Sequence, residues 1–544
     1  MSDIRGTSDG NEADSSWIGR LGLPHYRGTL LVPDDQEDDG VTAYPTSYVA
    51  YRLLLSTLAD VDANEKLLAA VAERFGWSLT LDQKFGEVVV QESEEARVAR
   101  RRRIPWATGT LGVRRYTIAG SDRSPEPDAW RLLRAARREV GVANLHGVGL
   151  EHILTVGGVG ANPFHSTNPF HSTNPFHSTN PFHSTNPFSS ANGAGPEDAY
   201  GAPGGGGLQP VAFAGHRPHR RSDHERGGRR RAVVGILDTG CGSHPWLDGV
   251  VRAGSLIAGP QIGYDDPASD PEVHPDQTGD LDGVIDEVSG HGTFIAGLVH
   301  QAAPDADIVA WRVVDSDGTI VESDLVAALA GIANLGELAA RSKGGLALDV
   351  LNLSMGYYHE TPQDALFDPT MYEILAALGR NGTVVVASAG NDSTARPSFP
   401  AAFAPWSNGY APIALDPHAV PIVSVGALNP NGTTVALFSN TGFWVRTYEL
   451  GAAVVSTIPT GFQGGWQPAA RTDAWGHTRE SIDADDFSGG FAVWSGTSFA
   501  APVVAGRIAA VLDAVATHEA KTADRRGAID RAWTALEKVT PIRR

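Results

Sequence analysis

Three short segments of this chain supply an acid, an imidazole and a hydroxyl, each next to small residues. The segments are Asp238-Thr239-Gly240, Gly290-His291-Gly292-Thr293 and Gly496-Thr497-Ser498. A serine hydroxyl becomes an effective nucleophile when a base removes its proton, and an acid orients that base and stabilises the imidazolium that forms. These residue types therefore predict a serine hydrolase with Ser498 as nucleophile, His291 as base and Asp238 as orienting acid.

The neighbouring residues indicate which elements must position the three groups. Asp238 directly follows the apolar run 233–237, which is typical of a buried strand. His291 precedes the apolar run 294–299, and Ser498 opens another apolar stretch; both stretches fit helices. A helix N-terminus offers unpaired N–H groups and a positive partial charge, which suit a developing negative charge. We therefore expect a strand end and two helix starts to meet at one site.

Alternating strands and helices are predicted for the second half of the chain. The apolar runs are 233–237, 308–311, 348–353 and 383–387, and a helix is predicted over 323–341. Runs that are apolar throughout fit parallel strands buried on both faces. The predicted fold class is α/β, with a mostly parallel, doubly wound sheet and a small α+β domain before it. Ligands of such sheets bind at the carboxyl ends of the strands, where Asp238 lies.

Composition divides the chain into five parts. We predict a polar arm (1–27), an α+β domain (28–157), a linker (158–231), a catalytic domain (232–518) and a helical tail (519–544). Within the α+β domain, strands are predicted at 28–32, 87–90, 116–118 and 150–156, and helices from a capping box at Asp62 and from Asp128 to Val140. The run Arg100–Arg103 is predicted to be a solvated loop.

The predicted linker contains a six-residue repeat. The sequence NPFHST occurs four times from residue 162, and a fifth Asn-Pro-Phe follows at 186–188. Asn-Pro steps disfavour helix, so a semi-extended spacer is the favoured interpretation, and an array of docking motifs is the alternative. A basic cluster at 216–231 is interpreted either as solvated linker or as an exposed region for proteolytic cleavage.

Charge and composition limit the other classes of function. The net charge of −20 disfavours a nucleic-acid-binding surface. The first residues lack the apolar segment of a secretory signal, and no uninterrupted apolar run is long enough to span a bilayer. We therefore expect a cytoplasmic protein without nucleic-acid or membrane partners, with signal-independent export as the alternative. The single cysteine, Cys241, is interpreted as a small buried residue.

Five longer stretches resemble one protein family. They are GILDTG (235–240), GHGTFIAGLV (290–299), DVLNLSMG (349–356), VVVASAGND (384–392) and SGTSFAAPVVAG (495–506). In this order they resemble the catalytic domain of the subtilisin-type serine proteases, the subtilases. The resemblance implies a subtilisin-like fold and a serine endopeptidase that cleaves protein or peptide substrates through an acyl-enzyme intermediate.

The resemblance also implies further site residues. Asn391 would donate its side-chain amide to the oxyanion of the tetrahedral intermediate, together with the backbone N–H of Ser498. Ser354, Met355 and Gly356 would form the edge segment that pairs with the substrate backbone, so that substrate binds as an added strand. This chemistry requires no cofactor and no catalytic metal.

An acidic insertion separates the first two catalytic segments. It contains Asp276, Asp280, Asp282, Asp286 and Glu287. Many subtilases bind calcium, which makes the insertion a candidate site for a structural calcium ion, but its spacing does not fit an EF-hand loop. A solvated acidic loop is the favoured interpretation. A second insertion, 406–415, is predicted to be a surface loop beside the substrate cleft.

Two roles are open for the N-terminal domain. Many subtilases carry a small α+β propeptide over the catalytic face, so residues 28–157 fit a zymogen that is activated by cleavage between 189 and 231. The long linker favours instead a tethered regulatory domain that responds to an activating protein partner through residues 28–188. A non-catalytic peptide-binding scaffold is the alternative to an enzyme, although a scaffold does not need the full set of catalytic residue types.

Overall fold

The computed structural model of the protein describes most of the chain. The described residues are 28–31, 42–156, 198–202, 204–257, 259–278, 281–361, 369–406, 416, 418–515 and 525–544. The predicted polar arm and the NPFHST repeat lie outside these residues, so their interpretations stay predictions.

Residues 28–31 and 42–156 form an antiparallel sheet, and two of the three helices pack on one of its faces. The strands are β1 (Gly28–Leu31), β2 (Thr46–Ser56), β3 (Trp77–Leu81), β4 (Glu87–Val89), β5 (Gly112–Gly120) and β6 (Val148–Val156), in the order β6-β2-β5-β3 with β1 on β2 and β4 on β5. The helices are Val61–Arg74, Glu94–Arg103 and Ala129–Val140. Leu68 and Leu133 of two helices share a buried cluster with Leu53 of the sheet, while Leu54 on the opposite face joins the core of the second domain.

Three features of this domain differ from the prediction. The sequence patterns predict no strand at the positions of β2 and β3. The run Arg100–Arg103 ends a helix and is not a solvated loop, because the guanidinium of Arg100 is buried, pairs with Glu92 and donates to two backbone carbonyls. The first helix is capped by Asp60 and not by Asp62, since the carboxylate of Asp60 accepts the N–H of Ala63.

A seven-stranded, entirely parallel sheet forms the centre of the second domain. In spatial order its strands are β16 (Thr447–Leu450), β15 (Val423–Leu428), β14 (Val384–Ser388), β12 (Val350–Leu353), β8 (Val233–Asp238), β10 (Asp307–Arg312) and β9 (Val251–Ala253). Chain order reverses on either side of β8, as in doubly wound sheets. The predicted α/β fold class is therefore confirmed, and Asp238 stands at the carboxyl end of a central strand.

Helices cover both faces of the parallel sheet. Apolar side chains of His291–Ala302, Thr497–Val515 and Arg525–Val539 pack on one face, and those of Glu322–Ala340 and Pro369–Arg380 pack on the other. Alternate residues of β8 enter the two cores: Val234 and Ile236 lie in one, Val233 and Leu237 in the other. Because both faces of these strands are buried, their sequences are continuous apolar runs.

Smaller sheets complete the second domain. β7 (Gln209–Pro210), β20 (Phe491–Trp494) and β17 (Val454–Thr457) pair antiparallel, and β18 (Arg471–Ala474) forms a hairpin with β19 (His477–Glu480). Two helices, Glu322–Ala340 and Thr497–Val515, are long and apolar enough to cross a membrane by length and composition, but most of each is buried inside the protein, as in core helices.

The last strand of the N-terminal domain lies between two short strands of the second domain. β11 (Thr319–Val321) and β13 (Met355–Gly356) both pair antiparallel with the end of β6. Thr155 is opposite both Thr319 and Gly356, so the end of β6 is the central strand of a three-stranded segment. The two domains are thus joined by main-chain hydrogen bonds at the segment predicted to bind substrate.

The basic cluster 216–231 packs against the second domain. Arg226 is 1% exposed and its guanidinium pairs with Asp513, while Arg221 pairs with Asp305. The cluster is therefore not a free linker, because these guanidinium groups pair with carboxylates across the fold. Residues 222–225, 227 and 228 are nevertheless exposed, so a cleavage region here stays a prediction. The predicted linker 158–231 accordingly ends earlier than the composition suggests.

Candidate active site

Asp238 and His291 form a buried pair at the carboxyl edge of the parallel sheet. β8 ends at Asp238, and His291 is the first residue of its helix. Nδ1 of His291 lies 2.7 Å from Oδ1 of Asp238, and neither side chain is exposed. The same oxygen accepts the backbone N–H of Thr239 at 2.8 Å. A carboxylate in this position holds the proton on Nδ1, so that Nε2 can act as the base.

Gly290 sets the direction in which the chain enters the helix that begins with His291. Its φ of 82° lies in the left-handed region, which glycine adopts without steric cost. A Cβ atom at this position would lie 2.9 Å from Cγ1 of Ile458. Backbone conformation and packing therefore both require glycine before the histidine.

Ser498 is the second residue of its helix and is tied to the predicted cleft segment. Oγ of Ser354 donates to the Ser498 carbonyl at 2.9 Å, and Oγ of Ser498 donates to the Ser354 carbonyl at 3.3 Å. In a regular helix the Ser498 carbonyl would accept the N–H of residue 502, which is proline and has none. Ser354 thus supplies the hydrogen bond that Pro502 removes.

The imidazole of His291 packs against two aromatic rings that sequence reasoning did not single out. Its ring centroid lies 5.7 Å from that of Trp494 and 5.2 Å from that of Phe499. Among the described residues, Nε2 of His291 has no hydrogen-bond partner. The contact with Ser498 that nucleophilic attack requires is therefore not made in this state, and such contacts often form only in the complex with substrate.

Asn391 is held in one amide orientation by Thr497, the residue before Ser498. Oδ1 of Asn391 accepts the backbone N–H of Thr497 at 2.8 Å and its hydroxyl at 2.9 Å. Because Oδ1 is engaged, Nδ2 is the donating end of the amide, as an oxyanion-binding group requires. Thr497 was given no role in the sequence analysis, although its position in the Gly-Thr-Ser segment is the signal that could have found it.

Asn440 braces the loop that carries Asn391. Its Oδ1 accepts the N–H of Asp392 at 3.1 Å, and its Nδ2 donates to the Ala389 carbonyl at 2.8 Å. Nδ2 also donates to the hydroxyl of Tyr358, which in turn donates to Asp392 at 2.6 Å. Burial, followed by the charge of Asp392, raises the pKa of Tyr358 well above its usual value. This tyrosine therefore remains a neutral hydrogen-bonding group.

The three residues predicted to bind substrate are close to the nucleophile. Ser354 contacts Ser498 directly, and Met355 and Gly356 form β13. In this structure β13 pairs with β6, and the N–H of Val156 donates to the Gly318 carbonyl on the other side at 2.9 Å. The edge that would bind a substrate strand thus binds a strand of the chain itself.

The acidic insertion is organised by hydrogen bonds to its own backbone. The carboxylate of Asp286 accepts the N–H groups of Gln277 and Thr278, and that of Asp276 accepts the N–H of Gly283. In the described part of this insertion, which omits Asp280, no three carboxylates lie within reach of one cation. The structural calcium ion suggested for this insertion therefore stays a prediction.

The remaining sequence predictions concern Cys241 and the insertion after Trp406. Cys241 is half-buried, and burial followed by the charge of Glu272 raises the pKa of its thiol. A thiol held neutral in this way is a poor nucleophile, in agreement with a packing role. Trp406 is buried and donates to the Ala402 carbonyl, while residues 407–415 of the predicted surface loop lie outside the described residues.

Fold and site together place the protein among serine hydrolases built on a parallel α/β sheet. Residues 229–537 match the family described as Subtilase family. The chain belongs to this family, and it is a subtilisin-like serine protease.

Individual relatives agree with the family match. The intracellular serine protease of Paenibacillus polymyxa is 25% identical over 297 residues, which cover 52% of this chain and 67% of that protein. Subtilisin BL of Lederbergia lenta is 26% identical over 261 residues, which cover 46% of this chain and 76% of that protein. Among solved structures, fervidolysin from Fervidobacterium pennivorans, a keratinolytic enzyme related to subtilisin, is 18% identical and covers 87% of this chain and 56% of that one, with a TM-score of 0.41. The sheet order and the family match, not this superposition, define the fold.

Proposed function

We propose that this protein is a serine endopeptidase that its own N-terminal domain keeps latent. Ser498 attacks the substrate carbonyl while His291 takes its proton, and Asp238 stabilises the imidazolium. Asn391 and the backbone N–H of Ser498 stabilise the oxyanion. The imidazolium of His291 then gives this proton to the leaving amine as the C–N bond breaks, which forms the acyl-enzyme. Water that is deprotonated by His291 hydrolyses the acyl-enzyme and releases Ser498. The observation that carries the proposal is the 2.7 Å contact between His291 and Asp238, at the edge of the sheet where Ser498 also lies.

The pairing of β6 with the cleft supports latency. Thr155 is opposite Gly356 and Val156 is opposite Met355, so continuation of this register leads toward Ser354. The Ser354 carbonyl lies 3.3 Å from Oγ of Ser498. The described strand therefore runs toward the nucleophile where it ends at Val156, and we expect self-cleavage on the carboxyl side of this residue.

Charged contacts away from the cleft also hold the N-terminal domain in place. The side chain of Arg115 is 1% exposed and pairs with Asp82 of its own domain and with Asp324 of the second domain. Glu151 accepts the N–H of Ser323, at the start of the helix Glu322–Ala340, at 3.0 Å. Because buried charges are costly when left unpaired, these contacts favour a docked domain over a loosely tethered one. A protein partner that binds residues 28–188 is then the second candidate trigger of activation.

Intact mass spectrometry of the wild type and of Ser498→Ala, each with and without a fluorophosphonate, tests this function. We expect the wild type to be labelled at Ser498 and shortened by a cut shortly after Val156, and the variant to stay full-length and unlabelled. A full-length wild type that labels only after the N-terminal domain is displaced would support partner-triggered activation. A folded wild type that never labels would overturn the enzyme and favour a peptide-binding scaffold.

A further inference from the structure

Glu272 is a buried carboxylate in direct contact with both elements that carry Asp238 and His291. It is 2% exposed and lies in the segment that precedes the acidic insertion. Its Oε1 lies 2.6 Å from the hydroxyl of Thr239, and its Oε2 lies 2.5 Å from the hydroxyl of Thr293. Thr239 follows Asp238, and Thr293 is in the first turn of the His291 helix. One carboxylate thus joins the two elements, and neither composition nor motif singled it out.

The carboxylate of Glu272 replaces the missing N-cap of this helix. Gly290 occupies the N-cap position and has no side chain that can accept the orphan N–H groups of the first turn. Oε1 of Glu272 accepts the N–H of Gly292 at 3.0 Å. A negative charge at this helix end is also favoured by the helix dipole. The N–H of Gly292 also donates to the Thr239 hydroxyl at 2.9 Å. Glu272 and the threonine that it holds thus supply the acceptors that Gly290 lacks.

Glu272 also determines where the hydroxyl proton of Thr239 goes. Oγ1 of Thr239 lies 3.2 Å from Oδ1 of Asp238, compared with 2.6 Å from Glu272. A hydroxyl has one proton, so it donates to the nearer carboxylate. Asp238 Oδ1 then keeps its acceptor capacity for the N–H of Thr239 and for Nδ1 of His291. Without Glu272 the hydroxyl would turn to Asp238 and compete with the imidazole.

The segment that carries Glu272 is itself anchored to the sheet edge. Arg312, the last residue of β10, donates to the Asp266 carbonyl at 2.9 Å and to the Ser269 hydroxyl at 2.9 Å. Its guanidinium also lies over the ring of Tyr264. The backbone before Glu272 is thus fixed relative to β8 and β10, so that the carboxylate is positioned by rigid elements.

We propose that Glu272 is a positioning residue of this active site, which aligns His291 with Ser498 by joining the Asp238 turn to the first turn of the His291 helix. The inference rests on the proposed function, because it concerns the geometry of the same catalytic groups. Glu272 is nearly fully buried and acts through its hydrogen bonds to Thr239, Gly292 and Thr293.

The test compares Glu272→Gln with the wild type as full-length protein, with rates expressed per active site titrated by a fluorophosphonate. Glutamine keeps the size of the side chain but cannot accept hydrogen bonds at both ends. We expect kcat to fall about 10²-fold with KM little changed, as for a small misalignment of reacting groups. Asp349→Asn is the matched control, because Asp349 accepts the N–H of Val233 at the opposite end of β8. The control should lower stability and leave kcat unchanged.

The pH profile separates alignment from a general loss of packing. Burial, followed by the charges of Asp270 and Asp238, raises the pKa of Glu272 to about 7, although the Thr239 and Thr293 hydroxyls oppose this shift. Once protonated, the carboxyl group cannot accept all of its hydrogen bonds, so the acid limb of kcat/KM should report two protonations in the wild type and one in Glu272→Gln.

Each outcome decides one point. A wild type that does not titrate with the fluorophosphonate even after the N-terminal domain is displaced overturns the proposed function, and with it an active site for Glu272 to align. If the wild type titrates and Glu272→Gln keeps its kcat and both protonations, Glu272 is not a positioning residue. If Glu272→Gln folds poorly, a double-mutant cycle that combines it with Thr293→Val separates alignment from misfolding. If the two residues act through one hydrogen bond, the double variant loses no more kcat than the worse single variant. Additive losses contradict the proposal. Thr293→Ser, which keeps the hydroxyl, should retain activity.

Discussion

His152 and Glu322 connect the two domains through a buried contact, with Nδ1 of the imidazole 2.5 Å from Oε2 of the carboxylate. The other ring nitrogen, Nε2, lies 2.8 Å from Oε2 of Glu360, and all three side chains are buried. His152 belongs to β6, whereas both carboxylates belong to the second domain. Burial alone would lower the pKa of the imidazole, but the carboxylates, Glu322 foremost, raise the pKa of His152 to about 10.

We expect docking of the N-terminal domain to weaken as pH rises. An exposed histidine has a pKa of about 6.5. Above that pH, His152 is neutral when the domain is undocked and must bind a proton when it docks. The contribution of His152 to docking is complete below about pH 6.5 and is lost as pH rises toward 10. Over this range the equilibrium constant for docking falls about tenfold per pH unit. The other charged groups at this contact are Arg137, 3.8 Å from Glu360, and His359, whose pKa burial lowers to about 4.

Hydrogen exchange of β6 in the uncleavable Ser498→Ala chain measures this dependence, after correction for the intrinsic effect of pH on exchange. Protection of residues 148–156 should fall between pH 7 and pH 9. In the same chain with His152→Gln, protection should be lower at pH 7 and nearly independent of pH. An equal pH dependence in both chains would show that His152 is not the responsible group.

Leu154 is the apolar anchor of β6 in the cleft. It is fully buried, lies opposite Ile320 and shares a buried cluster with Met355. A carboxylate at this position would have to be buried without a partner, at a cost of several kcal/mol. We therefore expect Leu154→Glu to release the cleft and to raise the initial rate at which freshly purified full-length protein hydrolyses a fluorogenic peptide.

Thr80→Glu is the control for added charge, because Thr80 is exposed on β3, away from the cleft. It should keep the latency of the wild type. If both variants stay equally inactive while their active sites label fully, β6 is not what limits access to the cleft.

Asn391 supplies the side-chain donor of the proposed oxyanion site. One such donor contributes about 10²–10³-fold to kcat, because it binds the oxyanion more strongly than the ground-state carbonyl. We expect Asn391→Ala to lower kcat by this factor, with KM little changed, in steady-state assays normalised to titrated active sites. Asn431→Ala, in the exposed turn at 429–434, is the control. A rise in KM with unchanged kcat would assign Asn391 to substrate binding instead.

The parallel sheet could be predicted because its burial is uniform along each strand. β8 and β14 lie between two helix layers, so nearly every residue is apolar and the runs are visible locally. β2 was missed for a different reason. Its sequence TSYVAYRLLLS alternates poorly, since one face packs on the helices of its own domain and the other on the second domain. A strand whose two faces pack against two different cores shows no simple alternation of apolar and polar residues.

The candidate site was predictable where local motifs carry the chemistry and not where distant residues support it. Asp238, His291 and Ser498 each lie in a recognisable segment. Glu272 does not, because its partners Thr239 and Thr293 come together only in the fold. A buried carboxylate and an exposed one look the same in a sequence, and the tertiary partners decide between them.

Arg226 and Asp513 illustrate the same point for stability. Arg226 lies in a basic run that reads as solvated, yet it is 1% exposed and pairs with Asp513, which is 4% exposed. Removing Asp513 leaves the guanidinium with the more distant carboxylate of Asp305, at 3.8 Å, and also removes the acceptor of the Ala232 N–H. We therefore expect Asp513→Ala to lower the free energy of unfolding by about 3–5 kcal/mol.

Urea denaturation in the Ser498→Ala background, which prevents self-digestion, measures this loss. Asp223→Ala is the matched control, because Asp223 pairs with Arg231 while its own side chain is 82% exposed. Such surface pairs contribute about 0–1 kcal/mol. Arg226 also donates to the carbonyls of Arg229 and Arg230. If Asp513→Ala costs no more than the control, these carbonyls and Asp305 suffice for the buried guanidinium, and the pair with Asp513 does not anchor the basic cluster to the catalytic domain.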